Sequence, residues 1–343
     1  VRVAILGTGA IANKHAQAYK NIGFELVACS NKTASRGEDF AKRWSTHFVA
    51  DAKELCQLRG LDFVDVCTFP DSHLEPVEAC AAIKRPVQLQ KPVATSLKIA
   101  REILEVARAA GINLSVVSQH RFDDATIFLK RALAAGRLGK LLQADAYVKW
   151  FRSDEYYSRP IKGSWATEGG GALINQAIHQ VDILLYLLGP VKAVAGMWQL
   201  GARHNIESED VVNALLAYTS GATGVIQAST AIWPGYTERI EIHGTKGSAI
   251  ISGDRLTTWD VIEDDIADAS DPAPVEMSTA SGSSDPMNIS VTTFERQFLD
   301  FADAIKTNRE PLCSGEQGYR ALELVLSVYQ ACRERRVVEL NAN

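Results

Sequence analysis

The first 119 residues alternate between short apolar runs and stretches of helical periodicity, and that alternation restricts the fold more than any other feature. The runs are Val1–Leu6, Phe24–Ser30, Leu61–Thr68, Pro86–Gln90 and Ile112–Ser118, with a weaker one near His47–Ala50. Between them, Ala10–Ile22, Ala34–Trp44, Asp71–Ile83 and Ser96–Ala110 place apolar residues on one helical face. Runs that are apolar throughout, rather than alternating, suit strands covered on both faces, which is the environment of a parallel sheet between helices. The expected fold is therefore a doubly wound Rossmann domain over residues 1–120.

After His120 the rhythm changes. A helix at Asp123–Ala135 leads to a long strand, Leu141–Phe151, and an apolar helix, Ala172–Leu188, stops at Gly189-Pro190. Extended segments follow at Val191–Leu200, Asp210–Tyr218, Gly224–Ile232, Thr237–Gly244 and Ser248–Ser252, the last two forming a hairpin. This predicts an α+β domain over 121–343, with a large antiparallel or mixed sheet. Helices should cover one face and leave the other for a partner subunit. The Asp-, Ser- and Pro-rich stretch Glu263–Ser290 is expected to be a loop, and helices near Val291–Lys306 and Gly315–Glu334 close the chain.

Net charge is −5, with no stripe of Lys and Arg, so nucleic acid is not an expected partner. No apolar run approaches the ~18 residues that span a bilayer, so no membrane association is expected. Six scattered cysteines lack metal-ligand spacing and sit in apolar patterns; neither disulfides nor a metal site are expected. With no leader visible ahead of the first strand, the cytoplasm is the expected compartment.

Two groups of residues point to chemistry. Gly7-Thr8-Gly9-Ala10-Ile11-Ala12 follows a strand and opens a helix. Gly7 permits a tight turn, and Gly9 lets the backbone approach a pyrophosphate at the helix N-terminus. At the end of the second strand, where an acidic residue would bind the ribose 2′-hydroxyl, the chain has Asn31, with Lys32 and Arg36 nearby. A neutral side chain flanked by cations suits a 2′-phosphate, which favours NADP(H) over NAD(H). Thr68-Phe69-Pro70-Asp71-Ser72-His73 and Gln90-Lys91-Pro92 leave the carboxyl ends of later strands, where such sheets bind ligands. There Lys91 could polarise a carbonyl or bind a reacting hydroxyl.

The second group lies on the apolar helix, where Asn175, His179 and Asp182 fall at i, i+4 and i+7. Buried polar groups need partners, at a cost of ~1–3 kcal/mol if unmet, and a substrate's hydroxyls could supply them. Gln176 lies beside this row. The segment Lys149–Tyr157 contains Trp150, Arg152 and Tyr157, and Trp165 follows; aromatic faces mixed with Arg suit a small polyhydroxylated substrate.

Taken together, GTGAIA at 7–12, FPDSH at 69–73, QKP at 90–92, QHRF at 119–122, GGGALINQAIHQVD at 169–182 and ALELVLSVYQACR at 321–333 resemble the Gfo/Idh/MocA family over essentially the whole chain. The resemblance implies reversible hydride transfer at a carbinol of a sugar, cyclitol, glycoside or nucleotide sugar. It implies Lys91 and His179 as the catalytic pair, and an open sheet face used for a homodimer or homotetramer. The expected cofactor contacts are Gly7, Gly9, Ala10, Ile11, Asn31, Lys32, Arg36, Thr68, Phe69, Pro70, His73, Gln90, Lys91, Gln119 and Trp165. Asn175, Gln176, Arg121, Trp150, Arg152 and Tyr157 are the expected substrate contacts. Two positions depart from the family pattern: Asn175 stands where many members have aspartate, and Gln90 where glutamate is usual. An NAD-dependent glycosidase of the same fold and a cofactor-binding regulatory protein are the alternative readings.

Overall fold

The computed structural model describes residues 1–159, 161–262 and 290–340; residues 263–289, on which the loop expectation falls, lie outside them. The chain divides into two compact units. The first comprises Val1–Gln119 with Ser290–Tyr319, and the second the other described residues. The units are not sequential, because Ser290–Tyr319 returns to the first, whereas a single cut near residue 120 assigns everything beyond it to the second.

In the first unit, strands β1 (Arg2–Leu6), β2 (Glu25–Ser30), β3 (His47–Phe48), β4 (Phe63–Val66), β5 (Val87–Leu89) and β6 (Leu114–Val116) form one parallel sheet in the order β3-β2-β1-β4-β5-β6. β1, β4, β5 and β6 are buried almost without interruption, including the polar residues Asp65, Gln88 and Ser115 that three of them carry. Helices α1 (Ala10–Asn21), α2 (Ala34–Trp44), α3 (Ala52–Gln57), α4 (Leu74–Ala81) and α5 (Leu97–Ala110) link them. Local chemistry sets the helix ends: Ser96 Oγ accepts from Ile99 N at the start of α5, and Gly111 ends it at φ 66°. The expected helix Asp71–Ile83 is instead a 3-10 turn, Pro70–Ser72, followed by α4. Helix α3 has too few residues for its periodicity to register in sequence.

The second unit begins with helix α6 (Asp124–Ala134) and strand β7 (Leu141–Lys149), then two single-turn helices, α7 (Asp154–Tyr157) and α8 (Trp165–Glu168). A π-turn over Leu173–Ala177 runs into α9 (Ile178–Leu188). Strands β8 (Val191–Leu200), β9 (Glu209–Tyr218), β10 (Thr223–Ser229), β11 (Arg239–Gly244), β12 (Gly247–Ser252), β13 (Arg255–Val261) and β14 (Val338–Glu339) complete an eight-stranded sheet. Its order is β13-β12-β11-β7-β10-β9-β8-β14, antiparallel except for the β7–β10 pair, so it is a mixed sheet, as expected. Helix α10 (Thr292–Thr307) belongs to the first unit, and α11 (Gly315–Glu334) crosses the boundary between units.

On one face of this sheet, a Cβ added at Gly196 would meet Cys332 and Val328 of α11. On the opposite face, Met197 is 80% exposed and Leu215 63%. Among the described residues, no helix is long and apolar enough to cross a membrane.

Candidate active site

The cofactor end of the first unit is built on the turn after β1. Gly7 has φ 91°, and a Cβ there would lie 2.9 Å from the backbone of Cys67 and Thr68, so only glycine fits. Gly7 N donates to Ser30 O, tying the turn to β2. Gly9 caps α1 without a side-chain hydrogen bond, and a Cβ on it would meet open space. Gly9 and Ala10 are exposed, Ile11 is half-buried, and Ala12 is fully buried against the sheet. The amides at the head of α1 thus face room for an anion, the condition a pyrophosphate needs.

Asn31 has a structural task that sequence did not reveal. Its Oδ1 accepts from Thr8 N at 3.2 Å and its Nδ2 donates to Thr33 O at 3.0 Å, so its amide braces the glycine turn. Lys32 and Arg36 are exposed, and neither has an ion pair among the described residues.

At the ends of β4 and β5, Thr68 Oγ1 is buried with no hydrogen-bond partner among the described residues. Phe69 is exposed, and Pro70 is buried in the short turn. His73 was expected at the cofactor surface, but it is fully buried. Its Nδ1 lies 3.0 Å from Val93 O and its Nε2 3.2 Å from Thr68 O. It staples the two strand-end loops together, and burial holds its pKa below the ordinary value. Gln119, at the carboxyl end of β6, is buried with its Oε1 unpartnered among the described residues.

A buried polar chain, missed from sequence, stands behind Lys91. Gln90 Oε1 accepts from Lys91 N at 2.9 Å, and Gln90 Nε2 lies 3.2 Å from His15 Nε2. His15 Nδ1 meets Asp65 Oδ2 at 2.7 Å, and Tyr19 OH donates to the same oxygen at 2.7 Å. The carboxylate, which can only accept, receives the hydrogen bond from Nδ1–H, and His15 Nε2 is left to accept from the Gln90 amide. Cys67 Sγ lies 3.4 Å from His15 Nδ1. His15, Asp65 and Cys67 are close enough together to ligate a metal, yet their atoms already satisfy one another by hydrogen bonds. The signal in sequence was a histidine inside an apolar helix, and only the fold shows its partners. All six cysteines are buried free thiols.

In the second unit the glycine run anchors the helix that carries His179. Gly170 has φ 150°, and a Cβ there would strike the Tyr329 ring; one on Gly171 would strike the Glu209 carbonyl oxygen. The fully buried Glu209 carboxylate accepts from Gly171 N and Leu173 N at 2.8 Å each and from Tyr329 OH at 2.7 Å. Tyr329 OH in turn accepts from Ile174 N at 3.2 Å. Burial is the larger influence on Glu209 and pushes its pKa up to about 7 despite these donors.

From Glu168 to Leu184 every residue is buried except Asn175 and His179, which are half-exposed. Asp182, the third polar residue of the predicted row, is not offered to a ligand. Arg121 grips it with Nε at 2.8 Å and Nη2 at 2.6 Å, and the guanidinium lies 4.8 Å from the Tyr186 ring. Arg121 is 1% exposed. Expected as a substrate contact, it is instead committed to locking α9.

The aromatic segment after β7 is similarly interlocked. Trp150 is buried and donates Nε1–H to Glu238. Arg152 is buried with its guanidinium 4.9 Å from the Trp150 ring and Nη1 donating to Phe151 O. Tyr157 OH pairs with Thr230 Oγ1 at 2.8 Å, and burial raises its pKa. Gln176 Nε2 donates to Tyr156 OH, while its Oε1 is buried without a partner among the described residues. Lys162, not anticipated, pairs with Glu168 and lies over the Tyr156 ring. Trp165 bonds Glu207 through its backbone N and indole N–H and packs on Trp198 and Tyr329.

The family model described as an oxidoreductase family with an NAD-binding Rossmann fold matches residues 1–118, and the GFO/IDH/MocA C-terminal domain matches residues 127–250. The scyllo-inositol 2-dehydrogenase (NAD(+)) of Bacillus subtilis is 30% identical over 73% of this chain and 73% of its own. The D-apiose dehydrogenase of Paraburkholderia graminis is 28% identical, covering 99% of this chain and 89% of its own. Among solved structures, the WlbA dehydrogenase of Chromobacterium violaceum, in complex with NADH and UDP-GlcNAcA, superposes with a TM-score of 0.86. It is 26% identical and covers 100% of this chain and 96% of its own.

Proposed function

This chain belongs to the GFO/IDH/MocA oxidoreductase family, and from that premise we propose that it is a dehydrogenase or reductase acting on a carbinol of a sugar, cyclitol, glycoside or nucleotide sugar. The observation that carries the reading is the exposure of Asn175 and His179 alone within an otherwise buried segment. Two polar side chains that keep part of their surface exposed where their neighbours are buried are placed to meet a ligand.

The turn at Gly7 and Gly9, the head of α1 and the unpartnered Thr68 Oγ1 fit a dinucleotide. When bound, the nicotinamide supplies the hydride acceptor or donor. The chain's own residues handle the proton. His179 takes it from the substrate hydroxyl in oxidation and returns it in reduction; an imidazole's ordinary pKa near ~6.5 suits both directions. Lys91 supplies a positive charge that stabilises the developing alkoxide. Asn175, a neutral amide, orients a second hydroxyl. Lys32 and Arg36 favour NADP(H), because unpaired exposed cations at the end of β2 suit a 2′-phosphate. The open sheet face around Met197 and Leu215 suits a homodimer or homotetramer.

The test is a cofactor-reduction screen over sugars, inositols and glycosides, run separately with NAD and NADP. On the substrate it finds, Lys91→Ala and His179→Ala are each expected to lower kcat by about 10²- to 10⁴-fold. Full turnover in both variants would remove the assignment.

A further inference from the structure

The mechanism leaves unused a second histidine beside the first. His120 is the partly exposed residue of the QHRF segment, its side chain 26% exposed. Its ring meets that of His179 edge-on, with centroids 5.1 Å apart and planes at 80°. His120 Nδ1 lies 2.8 Å from Asp123 Oδ2, and Asp123 is 5% exposed.

The surroundings of this pair are acidic. Glu238, just before β11, and Asp254, in the turn between β12 and β13, both bear on His120, and Arg255 faces Asp254. Trp150 donates to Glu238 but brings no charge. Burial disfavours a charged His120 ring, but the three carboxylates outweigh it, so its pKa lies above the ordinary histidine value. Asn175, one turn before His179, supplies no charge of its own.

We propose that His120, held by Asp123, is a positioning residue that acts through His179, its charge keeping His179 in the neutral, proton-accepting form. This rests on His179 being the proton-transferring group. Two cations 5 Å apart repel, so a charged His120 makes a second proton on His179 harder to add. At that distance, between surface and bulk dielectric, one charge moves a neighbour's titration by about one pH unit, and Asp123 cancels part of that. A proton taken from substrate by His179 is thereby also made easier to release.

The experiment is an NMR titration of the histidine ring protons of the full chain, which needs no substrate. In His120→Gln the His179 midpoint should rise by about half to one unit. In Asp123→Asn the His120 midpoint should fall. Coupling is reciprocal, so in His179→Gln the His120 midpoint should rise by a comparable amount. The acid limb of kcat/KM for oxidation should move with the His179 midpoint in His120→Gln, whereas a purely structural loss would lower kcat and leave the limb in place. Unmoved midpoints in the His120→Gln and His179→Gln chains would overturn the proposal. Full turnover by His179→Ala would overturn the catalytic assignment instead, and the titrations report the coupling in either case.

Discussion

Asn31 shows how one residue can be read correctly by type and incompletely by role. Its position at the end of β2 was legible in sequence, and so was the absence of an acid there. That its amide braces the glycine turn through Thr8 and Thr33 was not. Under the proposed NADP(H) reading, cofactor choice falls to Lys32 and Arg36, which have no ion pairs among the described residues. Replacing both by alanine is expected to lower the kcat/KM ratio of NADP to NAD by about 10²- to 10⁴-fold, since each charge-assisted contact is worth ~1.5–3 kcal/mol. Steady-state kinetics with the two cofactors measures it, and an unchanged ratio would end the NADP reading. Gln90 makes the same point from the other direction. Its difference from the usual glutamate is visible in sequence, but its link between His15 and the Lys91 amide exists only in the fold.

The decisive element is the segment Gly169–Leu188. Its apolar periodicity announced a buried helix with His179 on it. The π-turn over Leu173–Ala177 was not announced, because what holds it comes from elsewhere in the chain: Glu209 from β9 and Tyr329 from α11. A carboxyl whose folded pKa is raised to about 7, above the unfolded ~4.3, binds its proton more tightly in the folded state. Folding is therefore favoured by this group at low pH. Its contribution falls as pH rises from about 4.3 to 7, by the order of 3 kcal/mol. Glu209→Gln should flatten that part of the stability profile, as urea unfolding at pH 5, 6, 7 and 8 would reveal. If the variant kept the wild-type slope, another group would be responsible.

At the scale of the whole molecule, the sheet face that carries Met197 and Leu215 is exposed among the described residues. Ala195 pairs with Leu215 across β8 and β9, and Met197 lies two residues further along the same face as Ala195. Exposed apolar residues at neighbouring sheet positions mark an interface when they form a patch. A Met197→Glu, Leu215→Glu double variant is expected to shift the protein from oligomer to monomer in sedimentation velocity while preserving its circular dichroism. A wild-type chain that already sediments as a monomer would exclude the sheet-mediated assembly.

The sequence by itself determined the parallel sheet of the first unit, the glycine turn and the helix bearing His179, because burial pattern and local backbone need are written in neighbouring residues. It also foresaw a mixed sheet in the second unit, but neither the edge strand β13 nor the two-residue β14, whose pairing depends on partners rather than on periodicity. Tertiary structure alone decided which polar residues are buried with partners and which keep part of their surface exposed. Arg121 and Asp182 are taken by each other, His73 by two carbonyls, and Glu209 by the backbone of the glycine run. Asn175, His179 and His120 stay partly exposed. The physical reason is that hydrogen bonds and charges are settled by proximity in space, and the pairs that matter here lie 61, 38 and 20 residues apart along the chain.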